Sequence, residues 1–330
     1  MAPKHLKTTQ NRKETSNVHI IDTESDREKI QNLKKNYGDT VALKGVNISI
    51  GDGEFFGLLG PNGAGKTTTI NILTGLVRKD EGITKIFDKD IISDYRFTRA
   101  QVGISAQELT QDWFFPLDRL LYFQAGYYGI PKEKAKEQVD DLLYRLGLEE
   151  KRNSRLRQLS GGMKRRFQIA KALVHDPKIL ILDEPTAGVD VELRHELWEY
   201  FRELHKGGKT ILLTTHYIEE AEMLCDKVAI IDEGKVIKEG SPKSLTNQSG
   251  KSGININISD KDIDFDRLLS DFTYTNNDGR LHFTTQEPEE NLPIIINLLT
   301  NAGCHIQRVE TTKSSLEDVF LSLTGKGINV

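Results

Sequence analysis

The feature that most constrains the fold is a run of small residues, Gly60-Pro-Asn-Gly-Ala-Gly-Lys-Thr67, between an apolar strand and a helix. We predict the strand at 54–59 and the start of the helix near Thr68. Glycines let the backbone aim successive N–H groups at an anion, and the helix adds its positive amino-terminal end. The segment therefore predicts a phosphate-binding loop in an α/β fold.

In such a loop the Lys66 ammonium bridges the β- and γ-phosphates of a nucleotide, and the Thr67 hydroxyl ligates Mg²⁺. An ordinary glycine-rich turn before a helix is the competing interpretation, and the strand, loop and helix context argues against it. The candidate nucleotide-binding residues in this segment are Gly60, Pro61, Asn62, Gly63, Ala64, Gly65, Lys66, Thr67 and Thr68.

The acidic pair Asp183-Glu184 ends a second apolar strand, predicted at 179–182. In α/β proteins the carboxyl ends of parallel strands form the edge where ligands bind, so we expect both carboxylates there. We assign Asp183 to the Mg²⁺ shell and Glu184 to acceptance of a proton from the attacking water. Since many strands end in Asp-Glu for structural reasons, this assignment depends on the phosphate-binding loop.

Charge and composition exclude several classes of protein. Lys and Arg number 45 against 49 Asp and Glu, a net charge of -4, so we expect no nucleic acid partner. The longest apolar runs are far shorter than the ~20 residues that cross a bilayer, and no apolar stretch follows the charged N-terminus as in a signal peptide. Two cysteines without metal-ligand spacing fit a reducing compartment. We therefore expect a soluble cytosolic chain.

The pattern along the chain predicts three parts. Residues 1–29 are polar and aperiodic, which predicts a flexible tail. Residues 30–246 alternate apolar strands with helical segments, typical of a mostly parallel sheet, with a helix-rich insertion at about 111–172. Residues 247–330, after a small polar linker, predict a small α+β domain. Every nucleotide motif precedes this domain, so we expect nucleotide binding not to need it.

Periodicity and turn residues predict further elements. The last helix is predicted to start with a capping box, Ser314-Ser-Leu-Glu317. The turn signal Asn277-Asp-Gly279 precedes a strand in the small domain. The other predicted strands are 210–213, 228–231, 254–258 and 280–284, and the other predicted helices are 132–146, 191–204 and 292–299.

The segment Leu159-Ser-Gly-Gly-Met163 precedes the acidic pair and resembles the signature sequence of the ABC ATPase family, with Met163 where glutamine is more usual. A helix is predicted at 164–173. Ser160, Gly161 and Gly162 with this helix's N-terminus could therefore bind an anionic γ-phosphate. An ordinary helix cap is the competing interpretation.

Four further residues stand where the ABC family places functional groups. The resemblance implies that Tyr37 stacks on adenine and that Gln107, which lacks the usual preceding proline, reaches Mg²⁺ and the attacking water. It also implies that Asp190 supports a dimer contact and that His216 contacts the γ-phosphate. The catalytic candidates are thus Glu184, His216 and Gln107, and the metal candidates are Thr67, Gln107 and Asp183.

The resemblance covers about residues 30–245, and the ending Ser315–Gly325 is similar to ATPase subunits of drug, lipid and lipo-oligosaccharide exporters. It implies a head-to-tail dimer in which ATP held by one copy meets Ser160 and Gly162 of the other. It also implies a separate transmembrane permease, with this chain peripheral on the cytoplasmic side of the inner membrane. The alternative is a soluble ABC ATPase that acts without a membrane partner.

Two other segments have open interpretations. The aromatic run Trp113-Phe-Phe-Pro116 is either a docking surface for the permease or a local core of the helical insertion. The basic run Lys164-Arg-Arg166 is expected to be a solvated helix face.

Overall fold

The computed structural model describes residues 26–107, 114–247, 252–259, 265–277, 279–285, 287–312 and 315–325. Along this part of the chain, no helix is both long and apolar enough to cross a membrane. The elements of the first domain, in chain order, are β1 (Asp26–Tyr37), β2 (Thr40–Gly51), β3 (Phe55–Leu59), α1 (Lys66–Leu73), β4 (Glu81–Ile86), β5 (Lys89–Asp90), α2 (Tyr95–Ala100), β6 (Val102–Ser105), α3 (Leu117–Tyr127), α4 (Lys132–Arg145), α5 (Gly161–Leu173), β7 (Ile179–Asp183), α6 (Val191–Lys206), β8 (Thr210–Thr215), α7 (Ile218–Leu224), β9 (Lys227–Asp232), β10 (Lys235–Gly240) and α8 (Pro242–Asn247).

A six-stranded sheet forms the centre of this domain, in the spatial order β10-β9-β3-β8-β7-β6. Neighbouring strands run parallel from β9 to β6, and β10 pairs antiparallel with β9. Strands β3, β7 and β8 are buried along their whole length, because other layers cover both faces of the sheet. The four strands predicted for this sheet are confirmed to within two residues at each end.

A second, antiparallel sheet of order β2-β1-β4-β5 covers one face of the central sheet and was not predicted. Its residues Ile30 and Leu43 pack with Phe56 in one core, while Phe55 faces the helices in another. Register shifts interrupt the β1–β2 pairing, so the apolar alternation that identifies strands is broken there. Strand β1 begins at Asp26, so the predicted end of the tail at residue 29 falls inside it, and residues 1–25 lie outside the described ones.

The helical insertion consists of α3, α4 and α5, whose apolar faces join the larger core. Leu121, Val139 and Leu143 are buried there beside Phe167 of α5. The helix predicted at 132–146 is confirmed as α4, and its charged residues lie on the opposite, exposed side. The described part of the insertion is therefore a helical layer on one face of the central sheet.

The second domain continues with β11 (Gly253–Ile258), α9 (Phe265–Leu268), β12 (Tyr274–Asn277), β13 (Arg280–Thr284), α10 (Pro288–Asn301), β14 (Ile306–Thr312) and α11 (Leu316–Thr324). Its strands form an antiparallel sheet of order β12-β13-β11-β14, the split βαβ arrangement of ferredoxin-like folds. Ile254 and Ile256 pack with Ile295 and Leu299 of α10 in a separate core. The strands predicted at 254–258 and 280–284 are confirmed.

The last helix, α11, packs on the first domain although the chain reaches it through the second. Leu316, Val319 and Phe320 are buried in the larger core, against α7 and α8. The capping box lies one residue later than predicted: Ser315 Oγ accepts from Asp318 N–H, and Asp318 accepts from Ser315 N–H. The predicted N-cap Ser314 lies outside the described residues, and Ser315 takes the N-cap position of a helix that begins at Leu316. A truncation near residue 250 would spare every nucleotide motif and yet uncover part of the first domain's core.

This packing can be tested with two residues of α11. Phe320 is 1% exposed and Leu323 is 43% exposed. We expect Phe320→Ala to lower the free energy of unfolding by about 3–5 kcal/mol, because it leaves a cavity in the core. Leu323→Ala should cost less than about 1 kcal/mol. Urea unfolding of both variants measures the difference, and equal small losses would contradict the placement of α11 in this core.

Candidate active site

The phosphate-binding loop lies between β3 and α1, and its glycines are required by the backbone. Gly63 and Gly65 have φ angles of 81° and 109°, in the left-handed region that favours glycine. A side chain at Gly60 would place its Cβ 2.3 Å from the Ile231 carbonyl oxygen, and one at Gly65 would lie 2.6 Å from Leu43 Cδ2. Gly60 and Gly65 therefore leave no room for a side chain, and the backbone N–H groups of the loop can face a phosphate.

Lys66 is buried at the start of α1 and turns back over the loop. Its Nζ donates to the carbonyl oxygens of Gly60, at 2.7 Å, and Pro61, at 3.1 Å. The same Nζ lies 3.5 Å from Glu184 Oε1. Burial lowers the pKa of Lys66, and the Glu184 carboxylate opposes that shift. The ammonium is thus held by neutral carbonyls and one carboxylate, a set that the stronger charge of a triphosphate can replace.

The acidic pair stands at the carboxyl edge of the sheet, as predicted. Asp183 is buried at the end of β7 and accepts a hydrogen bond from Thr214 Oγ1 at 2.5 Å. Burial is the main cause that raises the pKa of Asp183, and the nearby Glu184 carboxylate adds to the shift. Glu184 has a φ of 48°, a left-handed conformation that is unusual for a residue with a side chain.

The Glu184 carboxylate is the point where four segments of the chain meet. Besides Lys66, Gln107 Nε2 donates to Glu184 Oε2 at 3.3 Å. His216 Nδ1 lies 3.3 Å from Glu184 Oε1, at ion-pair distance without hydrogen-bond alignment. Gln107, Glu184 and His216 follow β6, β7 and β8 in turn, and the carboxyl ends of these strands lie side by side. The structure therefore brings the predicted catalytic residues together around one carboxylate.

Other predicted nucleotide residues lie around this cluster with more exposure. Tyr37, at the end of β1, is 48% exposed, and the Lys35 ammonium lies 5.3 Å from its ring centre. Asn62 and Thr67 are exposed and Thr68 is half-buried, while Ala64 is buried beneath the loop. An exposed tyrosine face and an exposed hydroxyl can each meet a bound nucleotide without moving the core.

The signature segment lines a cavity whose described lining residues include none from the phosphate-binding loop. Ser160 is the N-cap of α5, where its Oγ accepts from Met163 N–H at 3.2 Å, so the capping interpretation also holds. Ser160, Gly161 and Gly162 line an open cavity of about 500 Å³ together with Asp190 and its neighbours. A Cβ at Gly162 would lie 2.5 Å from Leu193 Cδ2, so a side chain there would displace the Leu193 side chain. Among the described residues, those lining this cavity do not include the phosphate-binding loop.

Comparison with known proteins identifies this arrangement. Residues 43–187 match the protein family described as "ABC transporter", and residues 240–324 match "ATP-binding protein DrrA1-3-like, C-terminal domain". The chain is 40% identical over 298 residues to the Nod factor export ATP-binding protein I of Burkholderia orbicola (strain AU 1054), covering 90% of this chain and 96% of that one. The protein of that name from Rhizobium sp. (strain N33) is 37% identical over 297 residues, with coverage of 89% and 95%.

The chain belongs to the ABC transporter ATP-binding protein family. The cbiO1 protein of Clostridium perfringens, part of the ABC transporter complex cbiONQ, has a TM-score of 0.61 at 35% identity, covering 67% of this chain and 91% of that one. A dimeric ATP-binding cassette in a post-hydrolysis state with ADP and Pi has a TM-score of 0.59 at 27% identity, with coverage of 65% and 98%. The predicted fold class and ATPase activity are confirmed.

Two buried charged residues of this ABC subunit were missed. Arg165 is buried in α5, so the prediction of a solvated face for Lys164-Arg-Arg166 is wrong at its middle residue. Glu220 of α7 is fully buried and accepts from Thr186 Oγ1 and Trp198 Nε1. Burial raises the pKa of Glu220. The helical spacing could have predicted the burial of Arg165, because Arg165 lies four residues before the buried Ile169 on the same face of α5.

The residues of this ABC subunit fit a Mg²⁺-bound nucleotide. The loop offers a glycine-lined concave surface, the Lys66 charge faces it, and the oxygen atoms of Thr67, Asp183 and Gln107 are the ligand type that Mg²⁺ prefers.

ATP binding can be tested with Lys66→Ala, which removes the charge that faces the β- and γ-phosphates. We expect ATP affinity to fall by about 10- to 100-fold, the loss of a charge-assisted hydrogen bond.

Lys209→Ala is the matched control for that titration. Lys209 is a half-buried lysine that pairs with Asp176 just before β8, at the amino edge of the same sheet. Its removal should leave ATP affinity unchanged. Isothermal titration of both variants tests the assignment, and near-normal ATP affinity in Lys66→Ala would contradict it.

Proposed function

We propose that this chain drives export through a separate membrane permease by hydrolysing ATP at sites shared between two copies of itself. The observation that carries the proposal is the separation of the signature cavity around Ser160 from the cluster around Glu184 and Lys66. Each surface holds one part of an ABC nucleotide site. A second copy, packed head to tail, supplies the missing part to each.

Within each shared site, each residue contacts a particular part of the Mg²⁺-bound nucleotide. Lys66 neutralises the β- and γ-phosphates, and the His216 imidazole contacts the γ-phosphate. Mg²⁺, held by Thr67, Asp183 and Gln107, would add positive charge to the same phosphates. Tyr37 stacks on adenine with its exposed face. From the other copy, Ser160, Gly161 and Gly162 bind the γ-phosphate at the N-terminus of α5.

Glu184 changes partners when the nucleotide binds. In the described arrangement its carboxylate is held by Lys66 and Gln107 and lies near His216. A triphosphate attracts Lys66 and His216, which frees the carboxylate to orient the attacking water and accept its proton. Because ATP bridges only the closed dimer, binding shifts the population toward closure and hydrolysis releases it.

The direction of transport is supported by the relatives. Those with high identity are named as Nod factor export ATP-binding proteins, and the second domain matches a DrrA-like family. We extend this to export of a drug, lipid or polysaccharide-like substrate. The alternative of an ABC ATPase without a membrane partner is not favoured, because the named relatives are export subunits. The chain would then lie on the cytoplasmic side of the inner membrane, held by its permease.

The aromatic segment before α3 is our candidate for permease docking. Trp113 lies outside the described residues, but Phe114 is 76% exposed. Phe115 and Phe123 are also exposed and contact each other edge to face, with ring centres 5.2 Å apart. Three exposed aromatic rings near the start of the helical insertion favour docking over the local-core interpretation.

Co-purification tests the docking surface. We expect Phe114→Asp to lose the proposed membrane permease, since a charge would be desolvated in the contact. Tyr144→Asp alters an equally exposed aromatic residue on α4 and should keep the permease. ATP hydrolysis by the isolated chain should be the same in both. Equal retention of the permease by both variants would contradict this surface.

Glu184→Gln tests the shared site itself. The amide keeps the size of the side chain but cannot accept a proton, so hydrolysis should fall to a slow residual rate while ATP binding survives. Bound ATP then bridges two copies and the variant should elute as an ATP-dependent dimer. Adding Ser160→Arg should abolish that dimer, because bulk and positive charge enter the signature surface.

Size-exclusion chromatography with and without ATP, together with a phosphate-release assay, separates the two parts of this proposal. Hydrolysis by Glu184→Gln at the wild-type rate would show that the catalytic base is wrong. An ATP-dependent dimer that survives Ser160→Arg would show that the signature does not contact the opposite nucleotide.

A further inference from the structure

A buried cation connects the signature helix to the catalytic cluster of the same copy. Arg165 lies in α5, little more than one turn after the N-cap Ser160, and is 6% exposed. Its guanidinium points into the domain, away from the signature cavity, whose lining among the described residues does not include it. An arginine in this position must find partners for its donors, because an unpaired buried charge is costly.

The partners of Arg165 are backbone carbonyls of two catalytic segments. One Nη donates to the Glu184 carbonyl oxygen at 2.7 Å. The other donates to the Ala106 carbonyl oxygen and to Gln168 Oε1, each at 3.2 Å. Gln168 Nε2 in turn donates to the Ala106 carbonyl oxygen at 3.0 Å. The Arg165 guanidinium therefore binds the backbone of two segments, at Glu184 and at Ala106.

These contacts fix residues whose side chains meet at the catalytic carboxylate. Glu184 N–H donates to the Thr214 carbonyl oxygen, so both backbone polar groups of this left-handed residue are held. Ala106 directly precedes Gln107, whose side chain donates to Glu184. The unusual φ of Glu184 is retained only where neighbours determine it, and Arg165 is one of those neighbours.

The positive charge of the Arg165 guanidinium also acts on the buried carboxylates around it. Asp183, Glu184 and Glu220 are all buried carboxylates close enough to oppose the lowering of the Arg165 pKa that burial causes. The guanidinium stays charged under physiological conditions, so it offsets the repulsion among those carboxylates. A neutral side chain of the same length would fill the space without this effect.

We infer that Arg165 is a positioning residue that locks the Glu184 backbone and the start of the Gln107 segment to the signature helix. The inference rests on the proposed role of Glu184 in hydrolysis. Since Ser160 caps the N-terminus of α5, a shift of the helix start by the opposite nucleotide would be passed to Glu184 through Arg165.

The test compares Arg165→Met, Arg165→Lys and the control Lys171→Met, a lysine on the last turn of the same helix. We expect kcat for ATP hydrolysis to fall roughly 10- to 100-fold in Arg165→Met, the size expected when a catalytic group is slightly misplaced. The Kd for ATP should change by less than about twofold, because the phosphate-binding loop is intact. Arg165→Lys, which keeps one donor and the charge, should recover part of kcat. Lys171→Met should match wild type.

A double mutant separates positioning from a general structural role. If Arg165 acts through Glu184, adding Arg165→Met to Glu184→Gln should lower the residual rate no further. A folded Arg165→Met variant with wild-type kcat would overturn the inference, as would losses that multiply in the double mutant. If Arg165→Met does not fold, the hydrolysis rates of Arg165→Lys, Glu184→Gln and their double mutant are compared instead, with the same criteria. Wild-type hydrolysis by Glu184→Gln alone would instead overturn the proposed function.

Discussion

The contact between the Glu184 carboxylate and Lys66 is the interaction on which the rest of the site depends. It joins the end of β7 to the start of α1, and both groups are buried. The parallel sheet makes this contact possible, because it places the ends of β6, β7 and β8 beside the phosphate-binding loop. Gln107 and His216 reach the same carboxylate from the neighbouring strands.

The second domain is linked to this site through α7. That helix follows His216, and its outer side receives α11, whose Leu316 N–H donates to Glu222 at 2.7 Å. The inner side of α7 carries Glu220, which holds Thr186 and Trp198. A small ferredoxin-like domain therefore contacts the helix that follows His216, although its own sheet forms a separate core.

Sequence reasoning predicted what depends on local chemistry. The phosphate-binding loop, the acidic pair and the buried strands follow from residues that are adjacent in the chain, and the structure brings Lys66, Glu184, Gln107 and His216 together as expected. The roles of these residues in catalysis remain predictions. Strand β1 was missed because bulges disturb its alternation, and Arg165 was missed because its partners are carbonyls 19 and 59 residues away.

Trans-complementation measures the division of the nucleotide site between two copies most directly. In a Glu184→Gln background, one chain carries Lys66→Ala and the other carries Ser160→Arg, so a mixed dimer retains one intact shared site. We predict that neither chain by itself forms an ATP-dependent homodimer. The mixture of the two chains should form a mixed dimer that binds one ATP. A mixture that stays monomeric while the Glu184→Gln parent dimerises, or a Ser160→Arg chain that dimerises with itself, would contradict the shared site.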